Sequence, residues 1–251
     1  SSATHAGGIS NLGNSTITNS TISNNSTVYS AGGILNNGIL KLSNSTIFGN
    51  SATKTSGGGI FNNTTLDIFN TTIASNSAND GGGITNWGTL TVINTTISGN
   101  TSTIQAGGGI QNSSGSLTVI NSTISGNSAT AGGGLQNNGT LNIANSTLSG
   151  NTANRGGGIR NIDTLTVIGS TISGNTADSG GGIRTYGALT VSNSTISNNN
   201  AITFGGGIEN RGISTITNST ISGNSASQDG GGILNPFGGT FTLDNSTISG
   251  N

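Results

Sequence analysis

The sequence predicts an all-β chain that forms a single right-handed parallel β-helix, a β-solenoid of ten coils of about 25 residues with three parallel sheets. Two motifs that recur in step and an unusual composition predict this fold. The 251 residues include 45 Gly, one Pro, no Cys and no Met. So much Gly, Ser and Asn is typical of a disordered chain unless a strict repeat organises it.

The first motif is a run of two or three Gly followed by an aliphatic residue, and it recurs ten times at intervals of 24 to 26 residues. Its aliphatic residues are Ile9, Ile34, Ile60, Ile84, Ile110, Leu135, Ile159, Ile183, Ile208 and Ile233. The second motif reads Ser/Thr-Thr-Ile-x-x-Asn. Its aliphatic residues are Ile22, Ile47, Ile73, Ile97, Ile124, Leu148, Ile172, Ile196, Ile221 and Ile248. One copy of each motif per repeat indicates ten equivalent units.

A third segment of alternating type lies between the motifs, as at Leu90–Val92, Leu117–Val119, Leu165–Val167 and Leu189–Val191. Each repeat therefore holds three short strands, which cannot bury an apolar face as an isolated sheet. If each repeat winds once around, every strand pairs in parallel with its equivalent in the next coil. We expect right-handed winding, as in most parallel crossovers, and one rod-shaped domain about 48 Å long over residues 1–251.

The same spacing predicts three columns of Asn. The first column lies three residues after each motif Ile and is unbroken: Asn25, Asn50, Asn76, Asn100, Asn127, Asn151, Asn175, Asn199, Asn224 and Asn251. The second begins at Asn11 and is broken only at Thr185, and the third begins at Asn19 and is broken only at Gly169. Because Asn accepts left-handed turn geometry and its amide both donates and accepts, we predict a structural inter-coil ladder for each column. The third column also creates Asn-x-Thr sequons, which we interpret as by-products because a side chain held in a ladder is a poor glycan acceptor.

An order of the type Ile-Ser-Gly-Asn, a short variable stretch and then Gly-Gly-Ile recurs with substitutions along all ten repeats, as at Gly157-Gly158-Ile159 and Ile172-Ser173-Gly174-Asn175. This pattern resembles the repeats of the polymorphic outer membrane proteins, autotransporter adhesins whose repeats carry GGA(I/L/V) and FxxN. The chain departs from that pattern by using Gly for Ala and Ile for Phe. The resemblance implies a β-solenoid fold and a place on the cell surface, but it implies no particular partner.

Composition argues against several classes of partner. The chain has only six Lys and Arg and seven Asp and Glu, for a net charge of −1. Scattered charges of this kind do not supply the phosphate contacts that dominate nucleic-acid binding, so no nucleic-acid partner is expected. No apolar stretch is long enough to predict membrane insertion, and no leader opens the chain. No cofactor is implied.

The acidic residues give no indication of an active site. They are Asp67, Asp80, Asp163, Asp178, Glu209, Asp229 and Asp244. These acids fall in different coils and columns, whereas polysaccharide hydrolysis needs convergent carboxylates. His5 is the only His, which leaves a Ser-His-Asp arrangement without support. We therefore predict no enzyme, no catalytic residues and no metal site, and a polysaccharide-degrading or polysaccharide-binding β-helix is the least favoured interpretation.

One edge of the predicted helix is chemically varied and is a candidate ligand edge. Its residues follow the glycine motif: Trp87, Arg160, Arg184, Tyr186, Glu209 and Arg211. Adjacent coils would place Arg184 beside Glu209 and Tyr186 beside Arg211, which predicts an ion pair and a cation–π contact. A glycan or protein ligand would bind here, and the alternative is surface variation stabilised by local pairs.

A second face is monotonous, because one Thr precedes every inward Ile of the second motif. These residues are Thr21, Thr46, Thr72, Thr96, Thr123, Thr147, Thr171, Thr195, Thr220 and Thr247. Since alternate residues point to opposite faces, Thr and the Ser after the Ile point outward. The array resembles the T-x-T faces of solenoid ice-binding proteins, although Phe48 and Ala74 interrupt its Ser column. Thr is also simply a good strand residue.

We expect no capping segments at either end, and the repeat frame continues from Ile248-Ser249-Gly250-Asn251 into Ser1. This continuity predicts head-to-tail self-association by coil stacking. The alternative is that the chain is part of a longer surface protein. The sequence thus favours a non-enzymatic extracellular stalk, adhesin or fibre subunit, with ice binding as the alternative.

Overall fold

The structure, a computed structural model, describes residues 5–251. It is a β-solenoid of 39 strands with no helix among these residues, and each coil adds one strand to each of several parallel sheets. The predicted parallel solenoid is therefore confirmed. The predicted number of sheets is wrong, because the strands form four sheets and not three.

We number the sheets in the order in which a coil passes through them, and coil n begins at the nth glycine motif. Sheet 1 consists of Ile9–Asn11, Ile34–Asn36, Ile60–Asn62, Ile84–Asn86, Ile110–Asn112, Leu135–Asn137, Ile159–Asn161, Ile183–Thr185, Ile208–Asn210 and Ile233–Leu234. Sheet 2 consists of Asn14–Thr18, Ile39–Ser43, Thr65–Phe69, Thr89–Ile93, Ser116–Ile120, Thr140–Ala144, Thr164–Ile168, Ala188–Ser192, Ile213–Thr217 and Thr240–Asp244. Sheet 3 consists of Thr21–Ser23, Thr46–Phe48, Thr72–Ala74, Thr96–Ser98, Thr123–Ser125, Thr147–Ser149, Thr171–Ser173, Thr195–Ser197, Thr220–Ser222 and Thr247–Ser249. Sheet 4 consists of Ser26–Thr27, Ser51–Ser56, Ser77–Asp80, Thr101–Ser102, Ser128–Ala131, Thr152–Arg155, Thr176–Ser179, Asn200–Phe204 and Ser225–Ala226.

Equivalent residues of successive coils pair directly, so the aliphatic columns superpose. In sheet 3, Ile97 pairs with Ile124 and Ile124 with Leu148, and all three side chains are fully buried. Sheets 1 and 2 contribute their own buried aliphatic columns to the same continuous core. Sheet 4 contributes mainly small residues such as Ala78 and Ala153. The core is therefore a stack of aliphatic layers closed on its fourth side by Ala.

The glycine motif lets the chain turn tightly between sheets 4 and 1. Gly156 has φ +67°, a backbone conformation that only Gly adopts without cost. A Cβ on Gly157 would lie 2.5 Å from Thr176 O and 2.6 Å from Gly181 O. The first Gly therefore meets a conformational need, and the second allows coils to approach closely.

The Asn25 column is a buried ladder, as predicted. Each Asn from Asn25 to Asn224 donates its Nδ2 and its backbone N–H to Oδ1 of the next Asn at 2.8–3.0 Å. Nδ2 also donates backwards, as from Asn127 to Ile97 O at 3.0 Å. Each interior Asn thus joins three coils. The predicted left-handed geometry lies one residue earlier, at Asn24, Gly49 and their equivalents.

The Asn11 column is a second buried ladder, with Nδ2 to Oδ1 distances of 2.7–2.8 Å. At its break, Asn161 Nδ2 donates to Thr185 Oγ1 at 3.0 Å. A third buried ladder, formed by hydroxyls, was not predicted. In it, Ser146 N–H donates to Ser170 Oγ at 3.1 Å, and Ser146 Oγ donates to Ala144 O at 2.7 Å.

The Asn19 column is not the hydrogen-bonded ladder that the sequence predicted. Its Asn side chains are exposed, and within the described chain only the pairs Asn70–Asn44 and Asn245–Asn218 are joined by side-chain hydrogen bonds. All its Asn, and Gly169 at the break, have φ between +44° and +57°. Left-handed turn geometry therefore explains why each coil has Asn or Gly at this position. The Asn side chains of the sequons in this column are exposed.

Candidate functional site

The residues that follow the motif Ile are the central residues of the sheet 1 strands, and they lie next to the glycine turn that joins sheet 4 to sheet 1. We call Thr85, Gln111, Gln136, Arg160, Arg184 and Glu209 the corner column. The sequence predicted an exposed edge here, but Gln111 is 5% exposed, Arg184 8% and Glu209 0%. The glycine turn causes this burial: a Cβ on Gly180 would lie 2.6 Å from Arg184 Cβ, so the turn packs against the base of the side chain.

Glu209 is a fully buried carboxylate held by two Arg residues. Arg184 Nε lies 3.0 Å from its Oε2 and Arg211 Nε lies 2.6 Å from its Oε1. The predicted Arg184–Glu209 ion pair is confirmed, whereas the contact with Arg211 was not predicted. Ser179 Oγ, at the end of a sheet 4 strand, donates a further hydrogen bond to Oε2. A buried carboxylate without these partners would be strongly destabilising.

Three guanidinium groups lie close to the ring of Tyr186. The ring centroid lies 5.2 Å from Arg184 Cζ, 5.5 Å from Arg160 Cζ and 6.0 Å from Arg211 Cζ. The predicted cation–π contact with Arg211 is confirmed, and the ring is shared with two further cations. Burial lowers the pKa of Arg184, and the Glu209 carboxylate opposes this effect. The hydrogen bond to Glu209 raises the pKa of Arg211.

Trp87 does not join this cluster. Its neighbour Asn86 is connected to Thr185 by four successive pairings, through Asn112, Asn137 and Asn161. Trp87 therefore lies four coils from Tyr186, about 19 Å along the axis. The structure brings together five of the six predicted edge residues.

The corner column contains unpaired polar atoms. Among the described residues, three buried side-chain atoms have no hydrogen-bond partner: Gln111 Oε1, Arg160 Nε and Arg184 Nε. Arg184 Nε contacts Glu209 as an ion pair, but its N–H does not point at the carboxylate. Next to Arg184 a depression of about 230 Å³ is lined by Thr130, Asn154, Arg155, Asp178, Ser179 and Arg184. All three atoms are buried from solvent within the column.

The predicted Thr array is a continuous column on the outer face of sheet 3. Every Thr pairs directly with the Thr of the next coil. All ten side chains are exposed or half-buried. The ten strands of sheet 3 carry no charged residue, and Phe48 and Ala74 are the two interruptions of its outward Ser column. The face is thus a two-column array of small hydroxyl side chains.

The described acids are not grouped as a metal centre would require. Between residues 5 and 251, no three His, Asp or Glu side chains are placed so that they could hold a metal ion. No helix in the described part of the chain has the length and hydropathy needed to span a bilayer.

Neither a protein family model, nor a curated protein, nor a solved structure matches this chain. Its functional assignment therefore depends on the geometry of its own residues.

Proposed function

We propose that this chain is a non-enzymatic extracellular rod, acting as a stalk, adhesin or fibre subunit at a cell surface. The unbroken Asn25 ladder carries this proposal. It joins every coil to the next with two hydrogen bonds per step, parallel to the long axis and buried from water. Because these bonds join each coil to the next, they would oppose the separation of coils when the rod is pulled along its axis.

Two further arguments support the proposal. The repeat motifs resemble those of the polymorphic outer membrane proteins, which are autotransporter adhesins of the cell surface. We also propose that the rod winds in the right-handed sense, because parallel crossovers are usually right-handed. The near absence of charge leaves an outer surface of Asn, Ser and Thr, which suits a spacer that resists non-specific ionic contacts.

Optical-tweezers pulling on the chain between its ends tests the mechanical role. We expect unfolding in steps of one coil, and a lower unfolding force for Asn127→Ala, which removes two ladder steps. Asn142→Ala, which changes an exposed Asn on sheet 2 of the same rod, is the matched control. A chain that extends at low force without steps, or an Asn127→Ala variant as strong as the parent, would contradict the proposal.

Ice binding is a second candidate function, and one observation favours it. The Thr column of sheet 3 is in register through all ten coils and faces outward beside a Ser column, on a face without charge. Such a face presents hydroxyl and methyl groups at a spacing of about 4.8 Å along the rod.

Thermal-hysteresis measurements separate the two candidates. If sheet 3 binds ice, the Thr123→Lys/Thr171→Lys variant loses activity because two long cations break the flat array. The control is Thr118→Lys/Thr166→Lys, which makes the same changes in the same coils on the half-buried outer positions of sheet 2. Absent activity in the parent, or equal activity in both variants, would rule out this second candidate.

A further inference from the structure

One column on the outer face of sheet 2 is apolar in the middle of the rod and polar towards both ends. It is formed by the last residue of each strand, and successive members pair directly across the sheet. In coils 3 to 7 its residues, which we call the apolar stripe, are Phe69, Ile93, Ile120, Ala144 and Ile168. The equivalent residues in coils 1, 2, 8, 9 and 10 are Thr18, Ser43, Ser192, Thr217 and Asp244. The stripe is therefore bounded, and its centre is Ile120 in coil 5.

Strand propensity does not explain the apolar stripe. Its side chains point away from the core, because the residue before each of them, such as Val92 or Val119, is fully buried. They are half-buried or exposed, and Ile168 is 44% exposed. Thr is also a β-branched residue that suits a strand, and it occupies the same column in coils 1 and 9. A continuous apolar stripe where Thr would serve indicates a face that another molecule covers.

The surroundings of the stripe define the chemistry of that molecule. The described sheet 2 strands of coils 4 to 9 carry no charged residue, and their other outward positions hold mainly Thr and Ser. A partner therefore contacts this face through apolar and hydroxyl groups and not through ion pairs. A second copy of the same face has this composition.

The order of residues along the stripe is self-complementary. A two-fold axis along the coil 5 strand sets two rods antiparallel, so that coil 4 faces coil 6 of the partner and coil 3 faces coil 7. Ile120 then meets its own copy, and Ile93 lies over the small Ala144 of the partner subunit. An axis along the rod would instead place Ala144 on its own copy and leave a gap between the sheets.

Residues outside the stripe fit the same antiparallel arrangement. Ile39 and Ala188 are exposed at the first positions of their strands in coils 2 and 8. The axis through coil 5 brings these two coils together, which gives a second match of a large and a small side chain. Lys41, at the outward centre of the coil 2 strand, faces Thr190 of the partner subunit, so no like charges meet there.

The face is large enough for a stable dimer. A sheet 2 strand of five residues is about 17 Å long, and the nine coils that overlap around coil 5 extend over about 43 Å. The facing area is therefore about 700 Å² per partner. Stable interfaces bury about 600–1,000 Å² on each side.

We propose that the outer face of sheet 2 is a homodimer interface, in which two rods pack antiparallel through the apolar stripe. The interface covers Ile93, Ile120 and their equivalents and leaves the outer face of sheet 3 free. This inference adds an interface to the rod and depends neither on the mechanical role nor on ice binding.

Sedimentation equilibrium tests the dimer. We expect a species of twice the 24.5 kDa of the chain, and a dissociation constant raised about a hundredfold or more in Ile120→Lys, because two like charges would meet at the axis. Ser125→Lys, at a half-buried outer position of sheet 3 in the same coil, is the matched control and should remain dimeric. Ile120→Thr, which restores the residue type of coils 1 and 9, should weaken the dimer without disturbing the fold. A monomeric parent, or an Ile120→Lys variant that folds and dimerises like the parent, would overturn the proposal.

Small-angle scattering distinguishes this dimer from two rods stacked end to end. Packing through sheet 2 keeps the particle at about 53 Å, eleven coil steps, whereas end-to-end stacking extends it to about 96 Å. A dimer of the longer form would contradict the sheet 2 interface.

Cross-linking tests the antiparallel orientation, and the absence of Cys from the sequence makes single Cys substitutions specific. Facing sheets lie about 10 Å apart, beyond the reach of a disulfide, so a short bismaleimide is the reagent. We expect a cross-link in Ile120→Cys alone and in a mixture of Phe69→Cys with Ile168→Cys, but not in Phe69→Cys alone or in Ser125→Cys. A cross-link in Phe69→Cys alone that matches the mixture would show parallel rods and overturn the antiparallel pairing.

Discussion

At the scale of single residues, the break in the Asn11 ladder at Thr185 is compensated by a hydrogen bond from a nearby Ser. Where Thr185 replaces Asn, it has no amide to donate to Asn210 in the next coil. There Ser214, which pairs with Leu189 in the inward Leu column of sheet 2, donates to Asn210 Oδ1 at 2.7 Å. Ser15 donates to Asn11 Oδ1 at the same distance, at the first Asn of the ladder. In coil 9 a buried Ser thus supplies the donor that Thr185 of the preceding coil lacks.

This compensation predicts coupling between positions 185 and 214. Ser214→Leu alone removes a donor from Asn210, and Thr185→Asn alone adds one where the acceptor is already engaged. Together they restore the arrangement of the other coils. In a double-mutant cycle of urea unfolding, we expect a favourable coupling of about 1 kcal/mol. Additivity within about 0.5 kcal/mol would contradict the compensation.

Asn121 belongs to the Asn19 column, and its backbone adopts the left-handed conformation that the turn requires. Its φ is +48° and its side chain is exposed. Asn121→Ala should lower the free energy of unfolding by about 1–2 kcal/mol, because a Cβ without a local polar group disfavours this region. Asn121→Gly should leave the free energy of unfolding nearly unchanged, because Gly adopts this conformation without cost and Gly169 already occupies the same column. Chemical denaturation measures both. If Ala and Gly had equal effects, backbone conformation would not be the reason for the column.

At the scale of elements, the sequence predicts a strand only where the inward residues are large and aliphatic. Sheets 1 to 3 present Ile, Leu or Val inward and were predicted. Sheet 4 presents Ala, as in Ala78 and Ala153, or small polar residues such as Thr27 and Ser102. These residues give no hydrophobic alternation, so the sequence indicates no strand in this part of the repeat.

The candidate site was predicted in part for a similar reason. Column spacing alone places Arg184 beside Glu209, since register fixes which residues are neighbours. Burial depends instead on how tightly the glycine turn folds over the column, and the sequence does not give that angle. The unpaired atoms of Gln111 and Arg160 depend on this burial and were therefore not predicted.

The sheet 4 strand Ser77–Asp80 ends at a half-buried carboxylate. Burial raises the pKa of Asp80, and N–H groups of Ala106 and Gly81 partly oppose the shift. The folded chain therefore holds this proton more tightly than the unfolded chain. Its contribution to stability is present at low pH and falls as pH rises from 3.8, the ordinary value, through the raised pKa.

Asp80→Asn removes this titration and keeps an oxygen that accepts the Ala106 N–H, which Asp80 Oδ1 accepts at 3.2 Å. The variant should be more stable than the parent at neutral pH, and the difference should shrink as the solution is acidified. Urea midpoints measured over about pH 3 to 7 check the sign. A variant whose advantage grows on acidification would show that Asp80 stabilises the fold as a carboxylate.

At the scale of the whole molecule, each coil contacts only its neighbours, and all four sheets and both Asn ladders repeat with the coil. Stability is then close to a sum of coil terms and nearest-neighbour terms. Residues 152–175 form one complete period, because Asn151 and Asn175 are successive steps of the same ladder. Their removal joins Asn151 to Thr176, and the next ladder partner of Asn151 becomes Asn199.

We therefore expect the deletion of residues 152–175 to fold into a rod shorter by about 4.8 Å, with the circular dichroism spectrum of the parent. Small-angle scattering measures the length. Deletion of residues 164–175 is the matched control: it removes the sheet 2 and sheet 3 strands of coil 7 and leaves the others, so that every later column loses its register. The short deletion should unfold the stack or expose its core. If both deletions fold equally well, side chains superposed from coil to coil do not hold the molecule together.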